Sequence, residues 1–177
     1  MLINHEFTTP ILGFSAYSGT GKTTLLTQVI PLLQAEGLRL AIIKHAHHEF
    51  DVDQAGKDSY KLRHAGARQM LISSSKRWAL MTELGAADSE LSLTQLLAQI
   101  DQANTDLILV EGFKRESFLK IELHRPSLGL PLMCISDSNI IALATDAEVS
   151  ALPEGLPCLN LNQATEIAAF IRQYFQL

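Results

Sequence analysis

Ala16-Tyr17-Ser18-Gly19-Thr20-Gly21-Lys22-Thr23 is the stretch on which the reading of this 177-residue chain turns. A buried-strand run, Ile11-Leu12-Gly13-Phe14, precedes it. Leu25, Leu26, Val29, Leu32 and Leu33 follow at helical spacing, with Gly37 as the stop. The order strand, glycine-rich loop, helix fits the phosphate-loop pattern G-x-x-x-x-G-K-[ST], with Ala16 in place of the first glycine. Gly19 and Gly21 let the backbone curl so that successive N–H groups point at one anion. The helix starting near Lys22 adds the partial positive charge of its N-terminus. Lys22 is expected on the β- and γ-phosphate oxygens, the Thr23 hydroxyl on Mg²⁺ and Thr24 on the α-phosphate. Ser18, Gly19, Thr20 and Gly21 complete the expected cradle.

Working outward, Leu40-Ala41-Ile42-Ile43 reads as a second buried strand, which makes a βαβ unit and requires a parallel pair. A polar loop over residues 44–57 carries His45, His47, His48, Asp51 and Asp53. A short helix is expected from Asp58 to His64, ended by Gly66. Met70–Ile72 and Trp78–Met81 are strand-like. Ser92-Leu93-Thr94-Gln95 has the form of a capping box, with Leu93, Leu96, Leu97 and Ile100 on one helix face. Further strands are expected at Leu107–Val110, Leu119–Leu123, Ile140–Ala144 and Cys158–Leu161. Ile167, Phe170, Ile171, Tyr174 and Phe175 mark a C-terminal helix. Alternating strands and helices predict an α/β fold: a three-layer sandwich with a largely parallel central sheet and flanking helices. Residues 1–9 read as a short polar extension and 10–177 as one domain, with Trp78 and Phe113 expected in its core, an interface being the alternative.

Composition narrows the class. Fourteen basic against 19 acidic residues give a net charge of −5, which argues against a broad nucleic-acid surface. No apolar run reaches the ~18 residues of a membrane span, and Met1-Leu2-Ile3-Asn4-His5-Glu6 has no signal-peptide character. The two cysteines, Cys134 and Cys158, are far apart and read as buried thiols of a reducing cytoplasm.

A nucleotidase needs a carboxylate near its magnesium ion, at the end of a neighbouring hydrophobic strand. Glu111 stands at the carboxyl end of Leu107–Val110, where open α/β sheets bind ligands. Asp106 stands at the other end and reads as a strand start. Asp51 or Asp53 could hold a magnesium-bound water or orient the attacking one, and the histidines could instead ligate a transition metal. Lys22, Asp53 and Glu111 are thus the catalytic candidates, with Thr23, Glu111 and Asp53 on the metal. Asp146 closes Ile141–Thr145 and could accept from guanine N1–H and its 2-amino group, although the N-K-x-D motif is absent; a turn-starting Asp is the alternative.

Several segments together resemble one family. They are Ser18 through Thr24, Lys44-His45-Ala46-His47-His48, and Asp51-Val52-Asp53 on to Gly56-Lys57-Asp58-Ser59. Arg63, Ala65-Gly66-Ala67, Arg77 through Glu83 and Leu107 through Glu111-Gly112-Phe113-Lys114 complete the set. The chain resembles the MobB family of molybdopterin-guanine dinucleotide biosynthesis adaptors. The resemblance implies a homodimeric GTP-binding protein with weak hydrolysis. It implies assistance to MobA, the guanylyltransferase that joins GMP from GTP to molybdopterin. Pro126–Asn139 and Leu152–Leu177 match only in general character. Slow turnover fits the absence of an arginine from the phosphate loop; Arg63, Arg68, Arg77 and Arg115 could serve only if the fold or a partner delivers them. Two other classes share the loop. A small-molecule kinase needs an arginine-rich lid, and the arginines here are scattered. A nickel-insertion GTPase would use the histidines, but wants thiolates or a longer histidine tract.

Overall fold

The computed structural model describes residues 2–5, 7–46, 50–85 and 90–177. Twelve elements carry the argument. They are β1 (Ile11–Ala16), α1 (Lys22–Ala35), β2 (Leu40–Lys44), α2 (Asp58–His64), β3 (Gln69–Ser73), β4 (Trp78–Thr82) and α3 (Leu93–Leu97). Then come β5 (Leu107–Glu111), β6 (Lys120–His124), β7 (Ile140–Thr145), β8 (Cys158–Asn160) and α4 (Ala164–Phe175). The chain divides into two compact units, one of Met1–His45 with Leu93–Leu177, the other of Ala46–Ser92.

In the larger unit a six-stranded sheet runs in the order β2-β5-β1-β6-β7-β8, parallel throughout. β1 lies near its middle and is buried along its whole length. That is why its sequence is a continuous apolar run rather than an alternating one. One face packs Leu12, Phe14 and Leu109 against Leu25, Val29 and Leu33 of α1 and Ile167 and Ile171 of α4. The other face buries Ile11, Ile108 and Val110 with Leu93, Leu97 and Phe118. Helices on both faces make the expected α/β layering. Gly37 ends α1 at φ 89, and Leu38 N–H donates to the Leu33 carbonyl at 3.3 Å, a helix stop that glycine permits. α3 ends at Leu97, earlier than the apolar spacing suggests, although Ile100 still packs on the same cluster.

The smaller unit holds α2 and an antiparallel hairpin, β3-β4, with Met70 opposite Met81 and Ile72 opposite Ala79.

Three expectations need correcting. Cys134 is buried, but Cys158 is exposed at the start of β8, the last strand in the sheet order. Trp78 is 70% exposed, because it falls on the outward side of a two-stranded ribbon that covers neither face fully. Residues before Pro10 are not merely polar: Ile3 joins the core, and Asn4 donates to the Ile11 carbonyl at 2.6 Å while accepting from Leu119 N–H at 3.0 Å. A short segment so tied adds apolar cover to the sheet. Among the described residues no helix is long and apolar enough to cross a membrane.

Candidate functional site

Strand order sets the site. From β1 the chain turns through α1 to β2 on one side; from β5 it crosses to β6 on the other. The crevice outside the carboxyl ends of β1 and β6 is therefore a topological switch point, where open α/β sheets take ligands. The glycine-rich loop leaves β1 there. Gly19 and Gly21 sit at φ 83 and 98, a region costly to any side-chain-bearing residue. Gly21 caps α1 with no side-chain hydrogen bond, so the first helical N–H groups are not used by a capping side chain. Ser18, Thr23 and Thr24 are exposed at this opening, whereas Thr20 is buried. The Thr20 hydroxyl donates to the Tyr17 carbonyl at 2.9 Å, which braces the loop. A cavity of about 220 Å³ opens beside the loop, lined by Gly19, Thr20, Gly21, Thr24, Leu25, Gln28, Arg125, Leu161 and Asn162.

Lys22 and Glu111 meet at this end of the sheet. Lys22 Nζ stands 3.7 Å from Glu111 Oε1, and Lys44 Nζ stands 3.3 Å from Oε2. Burial lowers the Lys22 pKa; Lys114 and Lys44 lower it further, and Glu111 opposes them. Lys114 Nζ lies 5.6 Å over the Tyr17 ring. The Glu111 carboxylate and the Thr23 hydroxyl are hard oxygen donors, the chemistry that suits Mg²⁺. Asp106 precedes β5 at the opposite end and is bound by Arg39, so it plays no part here.

Asp146 follows β7 at the carboxyl edge, and its Oδ2 accepts from Arg125 Nη1. Arg125 Nε in turn donates to the Thr20 carbonyl at 2.9 Å. The guanidinium thus ties the glycine-rich loop to Asp146. Sequence reasoning passed over Arg125, which directly follows β6; the alternating polar residues of that strand gave no apolar run like the one that singled out Glu111.

Asp53 belongs to the smaller unit, where its carboxylate is committed to Arg63. Arg63 Nη2 stands 2.8 Å from Asp53 Oδ1 and also contacts Asp51, while Nη1 contacts Glu83. Hydrogen bonding to the guanidinium holds the Asp53 carboxyl below its ordinary range. Asp53 Oδ2 is buried without a partner. Of the histidines, His45 stacks on Phe113 with ring centroids 4.7 Å apart, and His47 and His48 lie outside the described residues. Among the described residues no three His, Cys, Asp or Glu form a group suited to a metal ion.

Fold and site together define a parallel α/β protein with a glycine-rich loop capping a helix at its switch point and a carboxylate on a neighbouring strand end. The family described as molybdopterin guanine dinucleotide synthesis protein B, MobB, matches residues 11–146, and this chain belongs to it. The chain is 46% identical over 168 residues to the molybdopterin-guanine dinucleotide biosynthesis adapter protein of Escherichia coli (strain K12), covering 94% of each. It is 42% identical over 165 residues to that of Haemophilus influenzae, covering 93% of this chain and 89% of the relative. A crystal structure of molybdopterin-guanine biosynthesis protein B superposes with a TM-score of 0.70 at 25% identity, over 93% of this chain and 99% of that one.

Proposed function

We propose that this protein is a cytoplasmic GTP-binding adaptor with slow intrinsic GTPase activity. It acts with the guanylyltransferase MobA, where GMP from GTP is joined to molybdopterin to form the guanine dinucleotide cofactor. The observation that carries the nucleotide part is the convergence of the Gly19–Gly21 loop, Lys22 and Glu111 at one strand edge. The biosynthetic role is supported by membership of the MobB family and by the names of the relatives.

In this reading the amides of the loop bind the phosphates, and Lys22 exchanges Glu111 for phosphate oxygens. Thr23 and Glu111 would hold Mg²⁺, which supplies charge neutralisation on the phosphates. Asp146 reads guanine, and Arg125 orients it through one of its two oxygens. Hydrolysis is slow because charge stabilisation at the terminal phosphate is incomplete: Arg63 is held by three carboxylates and Arg125 by Thr20 and Asp146.

A second copy of this chain is the partner for the hairpin. Within the smaller unit Leu71, Ile72, Trp78 and Leu80 are all exposed, and a lone two-stranded ribbon is only marginally stable. Leu71, Trp78 and Leu80 share one face of the ribbon, and pairing two ribbons in a homodimer covers that face and supplies the missing strands.

Calorimetric titration with GTP, ATP and GDP in the presence of Mg²⁺ tests the reading. Wild type is expected to prefer GTP, Lys22→Ala to lose binding, and Asp146→Asn to lose roughly tenfold or more of the preference over ATP. Equal or tighter ATP binding by wild type removes the guanine assignment. A pull-down of MobA that responds to GTP supports the adaptor role.

A further inference from the structure

The carboxyl ends of β2 and β5 are locked together. Lys44 is the register partner of Glu111, and His45 N–H donates to the Glu111 carbonyl at 2.8 Å. Gly112 follows at φ 107, and a Cβ there would stand 2.4 Å from His45 Cβ. Phe113 is held at φ 50 beneath the His45 ring. A left-handed non-glycine residue is strained and persists only where its surroundings impose it. What this turn imposes is the position of the Glu111 carboxylate against Lys44.

That carboxylate is shared. Lys22 reaches Oε1 and Lys44 reaches Oε2, with the Lys22 side chain 18% exposed and that of Lys44 59%. Lys114 adds a third ammonium group close enough to bear on Lys22. Two ammonium groups on one carboxylate leave a positive excess, which a polyanion is suited to neutralise. Because β5 lies between β1 and β2, Lys44 approaches Glu111 from the side away from the glycine-rich loop. Lys22, at the root of the loop, is expected on the β-phosphate as well as the γ-phosphate. Lys44, across the carboxylate from it, belongs to whatever extends furthest from the cradle.

We infer that Lys44 is the residue that distinguishes a nucleoside triphosphate from a diphosphate, pairing with Glu111 unless a triphosphate is bound and then contacting its γ-phosphate. The inference rests on the nucleotide reading above. The γ-phosphate of a triphosphate competes with Glu111 for Lys44, and its oxygens receive the ammonium group. A diphosphate leaves Lys44 paired with Glu111.

The test is calorimetry with GTP and GDP, each with Mg²⁺, on wild type, Lys44→Met, Lys44→Arg and Lys22→Met. Lys44→Met is expected to weaken GTP about tenfold or more, the loss of one charge-assisted hydrogen bond, and to leave GDP within about twofold. Lys44→Arg should restore most of the GTP preference, and Lys22→Met should weaken both nucleotides. The partly exposed Lys44 stem makes folding of these variants expected, and near-UV circular dichroism checks it. Equal weakening of GTP and GDP by Lys44→Met, or no weakening of either, overturns the inference while leaving nucleotide binding intact. A wild-type protein that binds neither nucleotide overturns the nucleotide reading and this inference with it.

Discussion

Asp106 takes the Arg39 backbone N–H at 2.7 Å, its Nε at 3.0 Å and its Nη2 at 2.7 Å. These bonds hold its carboxyl at about 2, against an ordinary value of 3.8. A carboxylate with a depressed folded pKa contributes stability above its unfolded pKa and loses it as pH falls through the folded value. Asp106→Asn is therefore expected to lower the thermal midpoint at pH 6, and the gap to wild type should close as pH falls from 3.8 to 2. A gap that stays constant over that window would mean the pair contributes nothing through charge. Gly112→Ala meets two penalties at once, the left-handed φ and the His45 contact. It is expected to destabilise by about 2 kcal/mol or more in urea unfolding.

β6 shows what one strand can hold. Ile121 and Leu123 face α1, while Lys120, Glu122 and His124 alternate onto the other face and are buried. Such burial requires partners. Lys120 Nζ finds Asp137 Oδ2 at 2.7 Å and the Lys114 carbonyl at 3.1 Å. Glu122 accepts from Met133 N–H at 2.8 Å and Cys134 N–H at 2.7 Å. The stretch leading to β7 is thereby pinned to the sheet by a carboxylate and an ammonium group instead of a helix. Glu122→Gln turns one acceptor into a donor facing an amide, and is expected to cost about 2–4 kcal/mol. Hydrogen exchange at Met133 and Cys134 reads the loosening directly. Burial, with Glu122 beside it, pushes the Cys134 thiol up to about 11. Thiol titration of native protein at pH 8 should therefore find Cys158 reactive and Cys134 inert until denaturation.

For the molecule as a whole, the proposed homodimer would cover exposed apolar side chains of the 46–92 unit. Trp78, the single tryptophan, lies on that face and serves as the reporter. Wild-type emission should shift to the blue as protein concentration rises through the dimer constant. Trp78→Lys should abolish the shift and give a monomer mass by light scattering. A wild type that is monomeric at all concentrations would remove the homodimer.

The central sheet, α1, α2 and the glycine-rich loop were legible from the chain, because each rests on neighbours in sequence. Four-residue apolar runs, helical spacing and glycines at the turns specify local conformation whatever the rest of the fold does. That Lys22 opens a helix and Glu111 ends a strand was legible for the same reason: one sits in a local motif, the other closes an apolar run. The outward placement of Trp78 and Cys158 was not, since an apolar side chain does not say whether anything will cover it. Nor were the partnerships of Arg125 with Thr20 and Asp146, of Lys44 with Glu111, or of Arg63 with Asp53 and Glu83. Each joins residues that only strand order or chain folding brings together, and these short strands do not encode their order one by one.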